Sequence, residues 1–251
     1  MKQIAIVTGA SSGMGSDFAR QIDGREGIDE IWLVARRRAR LESLAGELKN
    51  ARAVIIEADL STDEGISIIT AKLAAEKPSV RILVNNAGYG KIGNFSDLSR
   101  GDNLGMVDLN VRTLTALTYD ALPYMTTGSS IIQVASLAAF LPISTMAVYA
   151  ASKSYVLSFS EALAVELEAR GISVTALCPG PVATEFFEVA ANKKDHGMKG
   201  LVPSSLVVSR ALKAAEKGKA AILPTAIWKL TAFFTRFAPR KFLARAAGRM
   251  M

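Results

Sequence analysis

The chain has 251 residues, half of them hydrophobic and 21% charged, with a net charge of +7. That balance excludes a disordered chain and supplies enough apolar material for a large core. The single cysteine, Cys178, excludes an internal disulfide and fits a reducing compartment. Mean hydropathy is +0.25, and residues 121–152 carry no charged side chain. Polar residues, Gly128 and Pro142 interrupt that stretch, so it does not read as a spanning helix. The apolar run at residues 4–7 is too short for a signal peptide. Six cations and no acidic residue follow Ile227 (Lys229, Arg236, Arg240, Lys241, Arg245, Arg249). The rest of the chain is nearly balanced, which argues against a general nucleic-acid-binding surface.

Residues 3–8 form a β-branched apolar run that stops at Gly9 and predict a buried strand. A helix is expected over residues 13–22, a second strand over 30–35, and a helix over 38–49 with Leu41, Leu44, Ala45 and Leu48 on one face. Residues 53–58 predict a third strand. Ser61 reads as the cap of the next helix, with Glu64 completing a capping box and Ile66, Ile69 and Leu73 facing inward. Residues 80–84 predict a fourth strand and 85–97 a loop. A long helix over 100–125, a fifth strand over 130–135, a long helix over 147–170 and a sixth strand over 172–177 follow. Residues 179–200 show little pattern. Ser204 then reads as the cap of a helix to residue 217, and residues 220–223 predict a seventh strand.

Continuously apolar strands alternating with helices predict an α/β fold: a doubly wound parallel sheet of about seven strands, covered on both faces. No linker divides the chain, so residues 1–226 read as a single domain and 227–251 as a basic amphipathic tail.

The turn after the first strand is Thr8-Gly9-Ala10-Ser11-Ser12-Gly13-Met14-Gly15. Gly9 permits a tight exit from the strand, Gly13 admits close approach of an anionic group, and Gly15 lets the helix pack near the sheet. The helix N-terminus then offers unpaired amides and a positive dipole end to phosphate. The second strand ends in Ala35-Arg36-Arg37-Arg38, about 20 residues further on, where an acidic residue would hold adenosine ribose hydroxyls. An arginine there suits a 2′-phosphate instead, so the sequence favours NADP(H) over NAD(H).

Tyr149 and Lys153 stand four residues apart on one helix face, and Ser136 ends the preceding strand at the carboxyl edge of the sheet. An ammonium near a phenol lowers its pKa, and a serine can donate to a substrate oxygen. Together they suit moving a proton on or off an alcohol oxygen while hydride moves on carbon.

With these motifs in order, the chain resembles the short-chain dehydrogenase/reductase (SDR) family, a Rossmann fold, over about residues 2–225. Asn85-Asn86-Ala87-Gly88 matches the family's N-N-A-G motif, and Asn110 lies where its active-site asparagine falls. The resemblance implies an Asn110, Ser136, Tyr149 and Lys153 tetrad. In it Tyr149 is the acid for reduction and the base for oxidation, Lys153 lowers the Tyr149 pKa and binds the nicotinamide ribose, Ser136 polarises the carbonyl, and Asn110 holds a relay water. It also implies cofactor contacts from Gly9, Ser11, Ser12, Gly13, Met14, Gly15, Arg36, Arg37, Asp59, Leu60, Asn86, Ala87, Gly88, Tyr149, Lys153, Pro179, Gly180, Val182 and Thr184. Ser12 departs from the family's NADP-binding members, which often carry a basic residue there, so the NADP(H) expectation rests on Arg36, helped by Ser11 and Arg37. A homodimer or homotetramer in the cytoplasm is implied as well.

Leu137, Ala138, Phe140, Leu141, Pro142 and Phe186 are expected to line a mostly apolar pocket, which suits a hydrophobic ketone or aldehyde as readily as it suits simple packing of a lid. That lid would run through Phe187, Val189 and Ala190 into Asn192-Lys193-Lys194-Asp195-His196-Gly197. His196, the only histidine, reads as a lid residue, and no metal site is expected. Pro239 divides the tail into two helices. Packing on a second subunit, capping of the pocket, peripheral membrane contact and disorder all fit the tail. The reading is an NADP(H)-dependent oxidoreductase interconverting a carbonyl and an alcohol. Its alternative is a catalytically silent NADP-binding regulatory or scaffold protein on the same fold. A sugar-nucleotide epimerase is disfavoured by the glycine spacing and the lack of a sizeable C-terminal substrate domain.

Overall fold

The computed structural model describes residues 1–191 and 200–249. A seven-stranded parallel sheet forms its centre. The strands are β1 (Gln3–Thr8), β2 (Glu30–Ala35), β3 (Arg52–Glu57), β4 (Ser79–Asn85), β5 (Ser130–Val134), β6 (Ser173–Leu177) and β9 (Ala221–Ile222). Their spatial order is β3-β2-β1-β4-β5-β6-β9, and every adjacent pair is parallel. The chain leaves β1 toward β2 on one side and returns through β4 on the other, so the sheet has its switch point between β1 and β4. Ligands bind at such a crevice because the loops on either side diverge there.

Alternation along the strands explains the two cores. Ala5, Val7, Ile31 and Leu33 face one side, where they meet Phe18 and Ile22 of α1 (Gly13–Asp23), Leu41 of α2 (Arg38–Glu47) and Val208 and Leu212 of α8 (Ser204–Glu216). Ile4, Ile6, Trp32 and Val34 face the other. They meet Ile69 and Leu73 of α3 (Asp63–Glu76), Leu117 of α5 (Leu114–Ala121) and Leu163 of α6 (Ala147–Glu166). Strands buried on both faces must be apolar at successive positions, which is the pattern the sequence carries.

Three expectations are corrected in detail. The predicted 100–125 helix is α4 (Arg100–Val107), a wider π turn over Asp108–Thr113, α5, and a short 3-10 turn at Leu122–Tyr124. Asn110 lies in the π turn, with its side chain committed to two other elements. Thr62, not Ser61, caps α3: its hydroxyl accepts from Gly65 N at 3.1 Å, while Ser61 turns back and donates to Asp59 Oδ1 at 2.7 Å. Ser204 is the first residue of α8 rather than its cap, and its hydroxyl donates to the Asp17 carboxylate on α1.

Residues 179–200, patternless in sequence, hold β7 (Val182–Ala183) and α7 (Phe186–Ala191), and β7 pairs with β8 (Val202–Pro203). The expected lid segment containing His196 lies outside the described residues. The tail forms α9 (Ala226–Phe234) and α10 (Arg240–Gly248), with Pro239 immediately before the second. Trp228 of α9 is buried in the α1/α8-side core. Ala247 of α10 packs with Ile143, Met146 and Tyr149, and Ser144 N donates to Ala244 O at 3.2 Å. Among the described residues no helix is long and apolar enough to cross a membrane.

Candidate active site

A cavity of about 720 Å³ opens along the carboxyl edge of the sheet, over the switch point. One end is the glycine turn. Gly13 has φ +53°, and a Cβ there would press on the Thr184 side chain at 2.9 Å, so this position requires glycine. Ser12 makes no capping bond with its side chain, and the first-turn amides of α1 stand at the cavity wall beside Gly13 and Met14. Gly15, two residues on, is buried against the Gly9 carbonyl and serves the packing of α1 rather than the wall.

Thr8 and Asn86 fasten the switch point. The Thr8 hydroxyl accepts from Asn86 N and Ala87 N, each at 3.0 Å, and Asn86 Nδ2 donates to Thr8 O at 2.9 Å. The sequence reading did not single out Thr8; its position at the end of β1 opposite an N-N-A-G loop was the available signal. Asn85 instead points into the core, where its Nδ2 donates to Thr118 and Gln133.

Beside the ends of β2 and β3, Arg36, Arg37, Asp59 and Leu60 line the cavity. Arg36 stands 3.8 Å from the Asp59 carboxylate. Arg37 closes on the glycine turn by donating to Ser11 Oγ at 3.1 Å and Ser12 Oγ at 2.7 Å, and pairs with Glu185 at 2.9 Å. Arg40 meets the same carboxylate. Asp59 is held below the usual carboxylate range: burial pushes it up, but hydrogen bonds from Ser61 and the charge of Arg36 outweigh that.

At the other end stand Ser136, Tyr149 and Lys153, all buried. The Ser136 hydroxyl accepts from Ala138 N at 3.1 Å and donates to Pro179 O at 3.5 Å, and it acts on the Tyr149 phenol. Lys153 Nζ donates to Val134 O at 2.7 Å and sits 5.8 Å from the centre of the Tyr149 ring. Burial pushes the phenol up to about 12, with the Ser136 hydroxyl acting against it. Burial likewise pulls Lys153 down to about 8. Burial is the largest influence on the phenol and Ser136 the group that acts against it; Lys153, turned to the Val134 carbonyl, is not among the causes of the shift in this arrangement.

Asn110 does not line the cavity. It is fully buried behind it, donating from Nδ2 to Tyr89 O at 2.9 Å and Ser152 Oγ at 3.1 Å, and accepting from Tyr89 N at 3.1 Å. Ser152 in turn donates to Tyr149 O at 2.7 Å. Asn110 thus ties the loop after β4 to the helix that carries Tyr149 and Lys153. Ser152 sits between that pair in sequence and was not anticipated.

Of the expected pocket residues, Leu137, Ala138, Leu141 and Phe186 line the cavity. Phe140 does not: it packs with Leu114, Val156 and Leu157 on the far side of its turn, and Pro142 is also away from the wall. Phe186 meets Tyr149 ring to ring at 5.3 Å, and Gly90 leaves room between them. The roof comes from the tail: Ile227, Trp228, Thr231 and Ala247 all line the cavity. A side chain at Gly180 would collide with the Trp228 indole, so this glycine is required by the tail's close approach. Among the described residues no group of His, Cys, Asp or Glu could hold a metal ion.

A dinucleotide fits these residues. The cavity runs from two arginines past uncapped helix amides to a buried lysine, and Gly9 and Gly13 of the turn present bare backbone at its wall. Comparison with known proteins agrees. The family model for short chain dehydrogenases matches residues 3–195. An uncharacterized oxidoreductase of Staphylococcus epidermidis is 32% identical over 189 residues, 74% of this chain and 81% of that protein. A Sphingobium yanoikuyae short-chain dehydrogenase solved with NADPH superposes with a TM-score of 0.81 at 27% identity, covering 94% of each chain. A Comamonas testosteroni alcohol dehydrogenase specific for bulky-bulky ketones gives 0.76 at 26% identity, over 93% of this chain and 92% of that one. The chain belongs to the short chain dehydrogenase family. It is an oxidoreductase of that family, and its cofactor is a nicotinamide dinucleotide.

Proposed function

We propose that the protein is an NADP(H)-dependent reductase of a hydrophobic ketone or aldehyde, working in either direction between carbonyl and alcohol. The observation that carries this reading is the meeting of Ser136, Tyr149 and Lys153 at one end of a cavity whose other end holds Arg36 and Arg37. No acidic side chain ends β2 to repel a 2′-phosphate, and two guanidiniums can pair with it.

The cavity would hold the dinucleotide between Arg36 and Lys153, and the chemistry it would supply is hydride for the carbonyl carbon. The chain's own residues handle the oxygen. The Ser136 hydroxyl orients it, and Tyr149 delivers the proton from its phenol. Lys153 supplies the buried positive charge that stabilises the phenolate left behind, and binds the nicotinamide ribose. Asn110 and Ser152 fix the helix that holds both. Leu137, Leu141, Ile143 and Phe186 exclude water and favour an apolar substrate.

The reading carries with it a cytoplasmic homodimer or homotetramer. Exposed Leu104, Val107, Tyr119, Tyr155 and Val165 on α4, α5 and α6 support subunit contact through these helices. The silent-scaffold alternative is disfavoured by the complete set of proton-handling groups. The test is turnover of a panel of ketones and aldehydes with NADPH and NADH in parallel. Tyr149→Phe is expected to lower kcat by at least a hundredfold with NADPH binding unchanged by fluorescence. Retained turnover overturns the mechanism, and a preference for NADH overturns the role of the two arginines.

A further inference from the structure

Helix α9 has two unlike faces. Trp228 and Ala232 are buried. Ile227, Leu230, Phe233 and Phe234 lie on the opposite face, Phe237 follows in the turn after the helix, and each is more than half exposed. Phe233 contacts Phe234 at 5.6 Å and Phe237 at 5.2 Å, so the rings form a cluster with solvent on its outer side. On α10, Phe242 is 63% exposed, and Lys241, Arg245 and Arg249 share its outward face by helical spacing. Lys229 and Arg236 flank the apolar stripe of α9 in the same way.

Three features decide what covers such a surface. First, among the described residues neither these five cations nor Arg240 has an ion-pair partner, and residues 226–251 contain no acidic residue. Second, a two-fold contact with a second copy would set this unpaired positive charge against itself, which opposes self-association. Third, the surface is continuous with the cavity: Ile227 lines it and is also 67% exposed.

We infer that the outer faces of α9 and α10 dock on an anionic lipid bilayer. The rings of Phe233, Phe234, Phe237 and Phe242 enter the interface, and the tail cations meet lipid headgroups. Basic amphipathic helices with aromatic residues bind in this way, and each cation near an anionic surface contributes roughly fivefold in affinity. Docked so, the cavity opens beside Ile227 at the membrane surface. This deepens the proposed function, on which the substrate part rests: the carbonyl substrate is one dissolved in the bilayer, reaching Tyr149 beneath the tail without crossing water.

The test uses the full chain and vesicles of phosphatidylcholine with about one third phosphatidylglycerol, whose headgroups give the bilayer a negative surface potential. Cosedimentation is expected with these vesicles, weak with phosphatidylcholine alone, and lowered by salt. The triple variant Phe234→Ser, Phe237→Ser and Phe242→Ser is expected to lose at least tenfold in binding. Its turnover of a water-soluble carbonyl should equal the parent's, which establishes that it is folded, while turnover of a carbonyl embedded in vesicles falls. Tyr149→Phe should dock normally, so failure of the chemistry and failure of docking are separable. No binding to anionic vesicles, or equal binding by parent and triple variant, overturns the inference. Conversion of an oligomer into a monomer by the triple variant also overturns it, in favour of a second copy as the occupant.

Discussion

Tyr149 and Lys153 are both driven by burial toward their neutral forms, and the two shifts have opposite consequences for stability. Tyr149 is pushed up to about 12. Its contribution to folding is complete below pH 10 and is lost as pH rises through the folded value. Lys153 is pulled down to about 8, so below that pH the fold carries a buried cation at a cost, which shrinks as pH rises toward 10.5. The fall from 10.5 corresponds to about 3 kcal/mol, partly offset by the bond to the Val134 carbonyl. Lys153→Met is therefore expected to raise Tm at pH 7, by about 2 kcal/mol of stability, and to raise it less at pH 10, while abolishing turnover. Calorimetry at the two pH values checks this; a variant less stable at pH 7 would show that the lysine's hydrogen bond outweighs its desolvation. The spacing of Tyr149 and Lys153 was plain in the sequence. The direction of the phenol's pKa was not, because it depends on how deeply the ring is buried, and Phe186 of α7, the loop after β4 and the tail together set that.

Strands and helices were legible wherever one element needs a single pattern. β1, β2, β4, β5 and β6 read as apolar runs because both faces are covered, and their ends moved by only a residue or two. Caps were less legible, since Ser61 and Thr62 are both competent capping residues and only the path of the chain selects one. Thr62→Ala is expected to cost about 1 kcal/mol, measured as a lower urea midpoint, whereas Ser61→Ala, which removes only a bond to the partly exposed Asp59, is expected to cost less. Equal costs would show that the two hydroxyls share the cap. The π turn that carries Asn110 left no composition signal. Its side chain bonds Tyr89 and Ser152, residues 21 and 42 positions away in the chain, so nothing within the helix itself announces it.

For the molecule as a whole, the tail is the element whose role changes most on folding. In sequence it is a basic amphipathic segment beyond the family core. In the structure its inner face is wall and roof: Trp228 lies against Gly180 and among the core residues, and Ala247 packs beside Tyr149. Trp228→Ala is expected to destabilise the protein by about 3 kcal/mol and to raise KM for the carbonyl substrate more than for the nicotinamide dinucleotide. Thermal unfolding and steady-state kinetics check the two effects, and an unchanged Tm would mean that the indole is not part of the core.

The sequence by itself determined the parallel sheet, the glycine turn, the arginines after β2 and the order of Asn110, Ser136, Tyr149 and Lys153. Each of these depends on local periodicity, or on residue types at fixed positions relative to a strand end. Only the tertiary structure decided that Asn110 works from behind the cavity, that Phe140 turns away, that Phe186 lies on Tyr149 and that the tail covers the site. These are contacts between elements far apart in the chain, and they follow from which faces remain unburied once the sheet has formed.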